Sequence, residues 1–283
     1  MNAYIDCTAL LDDPVALREF GSREGYFCFR NLLPKEDIDR LRFEFTAIIG
    51  RQGWLEAGTT PFDAFTSKPP VVEGEDAYWP VMDEFQRLET FHTLAHHQRI
   101  LQVYDHLFSE RAFVHPRNIG RILFPNASKF TTPAHQDFIH IQGTENAWTT
   151  WIPLGDCPVS LGGLAILPRS HKSGIFPIYR TVGAGNVGID EASMEGEWVH
   201  DSLTAGSVLM FHSHTVHKGM PNHDPRRIRL SVDYRYQPIS GGLVKGSLEP
   251  HWGRQNWPTI YADWKSLRFQ YYWEREKLNL VPY

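Results

Sequence analysis

The hydrophobic rhythm of the chain changes near residue 110. Before that point apolar residues recur at three- and four-residue intervals, the spacing of a helix with one buried face. Residues 13–22, DPVALREFGS, predict a short helix with Asp13 as its cap and Pro14 in the first turn. GYFCFR at 25–30 predicts a strand. From Pro34 the set Ile38, Leu41, Phe45, Ile48 and Ile49 predicts a second helix, closed by Gly50. Residues 85–108 carry Phe85, Leu88, Phe91, Leu94, Ile100, Leu101, Val103 and Leu107 at helical spacing. His92, His96 and His97 fall on that stretch, but Thr93 stands where a zinc-binding His-Glu helix has its glutamate, so they read as packing or surface histidines. Residues 51–82 follow no period and are rich in Gly, Pro, Thr and acids. Their scattered Trp54, Phe62, Phe65 and Trp79 predict an ordered cover rather than a loose loop.

From residue 112 the pattern becomes short β-type runs: AFVH, IGRILF, the segment around FIHI, WTTWIPL, GLAIL, SVLMF and IRLSVDYRY. Turn residues separate them and no long helix intervenes, which favours a sandwich or barrel over a parallel sheet. The expectation is a mainly β fold with flanking helices in a single domain, 1–283: a helical part over 1–109, a barrel core over about 110–240, and an aromatic tail over 249–283. That tail holds Trp252, Trp257, Trp264, Trp273, Tyr261, Tyr271 and Tyr272 and is expected to pack on the barrel, with a dimer contact or a substrate wall as alternatives.

Composition narrows the class. A net charge of −5 gives no basic footprint for nucleic acid. The three cysteines, Cys7, Cys28 and Cys157, form no CxxC pair, which argues against a disulfide framework or structural zinc and for a reducing cytoplasm. The first residues, MNAYIDCTALLDD, lack the basic and apolar regions of a signal peptide, and no apolar run is long enough for a membrane helix. Monomer and homodimer both stay open.

The chemistry concentrates in two places. TTPAHQDFIHIQG holds His135 and Asp137 two residues apart, so on a strand both would share one face and could meet at one ion. Two histidines and a carboxylate on one face of a metal suit non-haem iron and oxygen chemistry. The third ligand must come from HSHTVHKGMPN at 212–222, and spacing alone does not choose among His212, His214 and His217. The arginines of RRIRLSVDY that follow can clamp a carboxylate with a forked pair of hydrogen bonds.

Five motifs in order, HQD at 135–137, WIPL at 151–154, GGLAILPRSHKSG at 162–174, GSVLMFHSHTVHKGMPN at 206–222 and RRIRLSVDY at 226–234, resemble the phytanoyl-CoA dioxygenase (PhyH) family of Fe(II)/2-oxoglutarate oxygenases. The resemblance implies a double-stranded β-helix (jelly-roll, cupin-like) barrel with N-terminal helices. It implies His135, Asp137 and His217 as iron ligands. It implies an arginine on the distal carboxylate of 2-oxoglutarate, with Arg227 ranked ahead of Arg229, whose neighbour Ser231 completes an Arg-x-Ser pair. Trp151 resembles the family tryptophan near the co-substrate. Arg169 replaces the usual glycine of the PGSH segment, read as a turn variation. The implied activity is hydroxylation of a small molecule, or dealkylation or desaturation through it, using O2 and yielding succinate and CO2, with natural-product metabolism as a setting. Phe138, His140 and Gln142 are the candidate substrate contacts. The competing readings are a cupin-like metal-dependent hydrolase or isomerase, or a non-catalytic ligand-binding relative.

Overall fold

The computed structural model describes residues 1–127 and 130–283. Its helices are α1 (Pro14–Glu24), α2 (Lys35–Arg51), α3 (Tyr78–Phe85), α4 (Glu89–Leu94), α5 (Gln98–Phe108), the single turn α6 (Phe138–Ile141) and α7 (Trp257–Tyr261). Its strands are β1 (Tyr26–Phe29), β2 (Ala112–Val114), β3 (Ile119–Leu123), β4 (Trp148–Pro153), β5 (Gly163–Ile166), β6 (Ile178–Arg180), β7 (Val187–Ile189), β8 (Val208–His212), β9 (His217–Met220), β10 (Arg229–Pro238), β11 (Gly242–Val244) and β12 (Asn279–Val281).

The large sheet is antiparallel in the order β1-β8-β4-β10-β2, with β3 also paired to β10. A second, shorter sheet is built on the β5–β9 pair. It is extended by isolated bridges from His135 to His217 and from Ile166 to Val199. Two antiparallel sheets of this kind, fed by crossing connections, make the jelly-roll barrel.

Alternation along the strands sorts residues between two environments. On β10, Leu230, Val232, Tyr234 and Tyr236 belong to the apolar core that also takes in the helices, through Leu41, Phe45, Phe85, Phe91 and Tyr104. Their neighbours Arg229, Ser231, Asp233, Arg235 and Gln237 are equally buried but face the other way, into the barrel. The interior is apolar along β1 and β8, where Tyr26, Cys28, Leu209 and Phe211 join Trp151, and polar along β10. An interior with arginines, serine and aspartate is costly to bury without partners, which marks it as a binding chamber rather than a packed core.

Local chemistry explains the elements and their departures from pattern. Asp13 caps α1 by accepting from the backbone amides of Val15 and Ala16, and Gly25 ends it with φ 74°. α2 runs past Gly50 to Arg51, because the first left-handed residue after it is Gly53, φ 69°. The stretch 85–108 is two helices rather than one: α5 restarts on His97, whose side chain accepts from the Arg99 amide. His92 and His96 pack as expected, His92 bonded to the Gln86 carbonyl at 2.8 Å and His96 stacked on Phe269. The FIHI segment, expected as a strand, is the helical turn α6. Apolar residues there satisfy either period, and the turn is closed by Asp137, whose carbonyl accepts from the His140 and Ile141 amides. In the 51–82 segment Trp54 is buried against Phe124, and α3 starts inside it at Tyr78. The tail packs on the body: Trp257, Tyr261 and Trp273 form a cluster with Phe113 and Leu243, and β12 pairs with β11. No helix among the described residues is long and apolar enough to cross a membrane.

Candidate active site

His135, Asp137 and His217 meet inside the barrel, all three buried, with one ligand atom of each within 4.8 Å of the others. The backbones of His135 and His217 form a two-way bridge, amide to carbonyl at 3.0 and 3.1 Å, which brings their rings to 4.2 Å between centroids. Asp137 is not on a regular strand as the two-residue spacing suggested; its backbone is helical, φ −65°, ψ −25°, and it opens α6. The carboxylate still reaches the histidines. Its Oδ1 lies 3.5 Å from His135 Nε2 and 3.9 Å from His217 Nε2. Gln136, between them, is fully buried and points away. It donates to the carbonyls of Gly174 and His214 and accepts from the Phe176 amide, pinning the segment from behind.

The donor set fits a metal ion. His135 Nδ1 bonds the Pro133 carbonyl at 2.8 Å and His217 Nδ1 bonds the Thr215 carbonyl at 3.0 Å. Each Nδ1 therefore carries the proton, and each Nε2 presents its lone pair to the centre. Burial, then the adjacent His135, pushes His217 down to about 3, so its imidazole is neutral and free to ligate. For Asp137 burial works upward, but the hydrogen bond from His135 and the charge of Arg235 outweigh it and hold the carboxyl well below its usual range. Thr149 on β4 donates to Asp137 Oδ2, leaving Oδ1 turned to the centre.

The triad lines a cavity with Arg121, Thr149, Arg229 and Asp233. Arg121, Thr132 and Arg229 are shared with an adjoining cavity that reaches Val71 and Phe130. Arg229 donates to the Gly163 carbonyl, and its guanidinium sits 5.8 Å from the Trp151 ring centroid. Its Nε, the Trp151 Nε1 and the Ser231 Oγ are all buried without a hydrogen-bond partner. A buried cation with its own Nε unpaired and two further orphaned polar groups beside it is a set that a carboxylate would satisfy. Arg227, ranked ahead in sequence, is elsewhere: it bridges Phe65 through the backbone, its guanidinium lies over that ring, and it does not line the cavity.

The other candidates lie around the edge. Phe138 is partly buried with its ring edge-on to His214 at 4.6 Å, and His140 is exposed with its ring 6.3 Å from that of His135. Gln142 turns back to the Ile139 carbonyl. His212 and His214 stand outside the triad, His212 against Trp148 and His171. Sequence reasoning missed Arg121, Thr149, Asp233 and Arg235. For Asp233 and Arg235 the alternation in RLSVDYRYQ, polar at every second residue from Arg229, is visible in the sequence, but the burial of the whole strand is not.

The phytanoyl-CoA dioxygenase (PhyH) family model matches residues 21–230. The chain is 32% identical over 275 residues to 1-deoxypentalenic acid 11-beta-hydroxylase of Streptomyces arenae, covering 92% of each chain. It is 24% identical to the peroxisomal phytanoyl-CoA dioxygenase of Rattus norvegicus, over 84% of this chain and 73% of that one. The fold matches the epimerase SnoN, solved with Fe3+, alpha ketoglutarate and nogalamycin RO, with a TM-score of 0.57, 21% identity, and coverage of 82% of this chain and 87% of that one. EctD from S. alaskensis matches with a TM-score of 0.55, 20% identity, and coverage of 82% and 80%. A barrel with a two-histidine, one-carboxylate cluster and a match over 92% of the chain leaves no place for the hydrolase or binding-protein readings: the chain belongs to the phytanoyl-CoA dioxygenase (PhyH) family and is a non-haem oxygenase of small molecules that uses Fe(II), 2-oxoglutarate and O2.

Proposed function

We propose that His135, Asp137 and His217 hold the iron and that Arg229, rather than Arg227, holds the distal carboxylate of 2-oxoglutarate. The observation that carries this reading is the shared cavity: the triad and one buried, under-bonded arginine line the same space. With both bound, the iron and 2-oxoglutarate couple decarboxylation of the keto acid to transfer of an oxygen atom from O2 to a substrate C–H bond. The chain's own work is orientation. The Pro133 and Thr215 carbonyls keep both imidazoles in the ligating tautomer, and Thr149 fixes the carboxylate. Arg229, with Ser231 and Trp151 beside it, grips one end of the co-substrate so that the other end meets the metal face. The buried walls exclude bulk water from the centre.

The reaction is hydroxylation of a small molecule in natural-product metabolism. This is supported by the two Streptomyces relatives named for hydroxylating an acid. The three free cysteines, all buried, suit a reducing cytoplasm. Phe138 and His140, at the rim beside Asp137, are the residues we assign to meet part of the substrate, with Gln142 following once it leaves the Ile139 carbonyl.

Anaerobic absorbance tests the reading. Fe(II) followed by 2-oxoglutarate should give a weak visible charge-transfer band in the wild type and none in His217→Ala. Absence of the band despite bound metal would overturn the co-substrate site.

A further inference from the structure

Tyr78 is a buried polar side chain that the oxygenase reading leaves unused. It opens α3 and lines the cavity that adjoins the metal chamber. The residue is 2% exposed, with its ring edge-on to Trp79 at 5.4 Å and to Trp252 at 6.1 Å between centroids. Those contacts fix the ring, yet among the described residues nothing hydrogen-bonds its hydroxyl. A buried tyrosine hydroxyl ordinarily has a partner, because leaving it unpaired is costly. Burial pushes this one well above its ordinary value, so it stays a neutral donor and acceptor.

The cavity around it is largely apolar. Val71, Val72, Leu123, Phe130 and Ala184 line it beyond the residues it shares with the metal chamber. Its charges are answered: Arg121 is bonded to Asp233, Arg229 faces the co-substrate, and Glu73 accepts from the Trp252 indole at 2.9 Å. An apolar cleft with a few placed polar groups is the usual form of a small-molecule pocket. One wall is tied to the iron segment. Ile189 of β7 donates to the carbonyl of Ala134, the neighbour of His135, at 2.8 Å. Gly183, in the tip between β6 and β7, lies so close to the Thr131 carbonyl and Pro133 that a Cβ would not fit. Ala184 follows it into the cavity wall. Gly185 then packs on the rim residue His140, where a Cβ would stand 3.4 Å from Nε2.

We propose that this cavity receives the apolar body of the primary substrate and that the Tyr78 hydroxyl reads a neutral oxygen on it, a ketone, hydroxyl or ester. This rests on the oxygenase reading and names the substrate class. Glu73 lines the same cavity and repels an anion at that end, which favours a neutral group over a carboxylate. Ala184, held against the iron segment by its glycine neighbours, sets the room left for the hydrocarbon.

The test uses protein loaded with Fe(II) and saturating 2-oxoglutarate without oxygen, so that the triad and Arg229 are occupied before a probe is added. Adamantanone, adamantanol and adamantanecarboxylate, one skeleton with three head groups, are titrated by calorimetry. The wild type should bind the ketone or the alcohol more tightly than the carboxylate. Tyr78→Phe keeps the ring and its packing, and should weaken the favoured neutral probe by about three- to tenfold, the worth of one neutral hydrogen bond. It should leave the carboxylate unchanged. Ala184→Trp fills the cavity and should weaken both neutral probes by more than that. Both variants should keep the charge-transfer band and the 2-oxoglutarate affinity of the wild type. A failed co-substrate site is read from the band before any probe is added, so the two failures are separate. Absence of binding by the wild type, or binding that ignores both substitutions, overturns the proposal. So does tighter binding of the carboxylate, or a loss of 2-oxoglutarate affinity in Tyr78→Phe, which would give the hydroxyl to the co-substrate.

Discussion

Thr149 and Asp137 are joined by a hydrogen bond from the threonine hydroxyl to carboxylate Oδ2, and this bond leaves Oδ1 as the oxygen facing His135 and His217. Thr149 sits on β4, the central strand between β8 and β10, so its position is set by the sheet and not by the loop that carries Asp137. Thr149→Val keeps the shape and deletes the donor. Loss of such an outer contact costs metal affinity about 10- to 100-fold. Competition with a chelator should show that fall for Fe(II) in Thr149→Val and near-normal affinity in Thr149→Ser. Unchanged affinity in Thr149→Val would remove Thr149 from the centre's support.

The two arginines near the start of β10 should separate cleanly. Arg229 is buried beside orphaned groups in the triad cavity, whereas Arg227 rests on Phe65. Removing a buried charge from a bonded carboxylate costs about 2–4 kcal/mol, roughly 30- to 1,000-fold in affinity. Arg229→Gln should weaken 2-oxoglutarate binding by that factor, and Arg227→Ala by little, both measured by titrating the charge-transfer band. The reverse order would return the clamp to Arg227.

The candidate site shows what the sequence carried and what it did not. The barrel was legible because turn-bounded β-type runs are a local signal, and the triad because ordered motifs fix which histidine matters. The choice between Arg227 and Arg229 was not, because it turns on where the first ladder bond of β10 forms. Arg229 pairs with Leu123 of β3, whereas Arg227 lies before the strand, its backbone held by Asp224 and Asn222 and bridged to Phe65 of the 51–82 segment. Asp137 was placed on a strand because FIHI is apolar at either period. Its amides turn back on Asp137 instead, a helical turn that spacing cannot distinguish from a strand. Arg235 went unnoticed because a charged residue in an alternating strand reads as solvent-facing, and only tertiary structure shows that both faces of β10 are covered.

Gly120 on β3 is a tight point between the sheet and the helices. A Cβ there would stand 2.2 Å from Phe85 Cε1. Phe85 cannot withdraw: it is fully buried, 3.7 Å from Phe45 and 4.4 Å from Phe91 between ring centroids. Overpacking of this kind costs about 1–3 kcal/mol. For a chain of this size each kcal/mol lowers Tm by about 2–4 °C. Gly120→Ala should therefore melt several degrees below the wild type by calorimetry. An unchanged Tm would mean that the helical layer yields more readily than its ring packing implies.

Arg169 stands where the related motif has glycine, and its backbone explains that preference: φ is 68°, in the left-handed region. The side chain offsets the strain. Its guanidinium grips both oxygens of buried Glu24 at 3.0 Å, and its amide bonds the Glu24 carbonyl, tying the end of α1 to the loop after β5. Arg169→Ala keeps the strained backbone and loses the grip, whereas Arg169→Gly loses the grip but relieves the strain. Arg169→Gly should therefore be the more stable of the two, by about 1–2 kcal/mol. The pH dependence has a definite sign. Burial pulls Glu24 upward, but the hydrogen bonds from Arg169 and Arg23 outweigh it and lower its pKa. A carboxylate lowered on folding contributes stability above its ordinary value near ~4.3, and that contribution is lost as pH falls through the lower folded value. The Tm gap between wild type and Arg169→Gly, measured on metal-free protein, should be widest at neutral pH and close in acid. A gap independent of pH would show that the ion pair with Glu24 is not what Arg169 contributes.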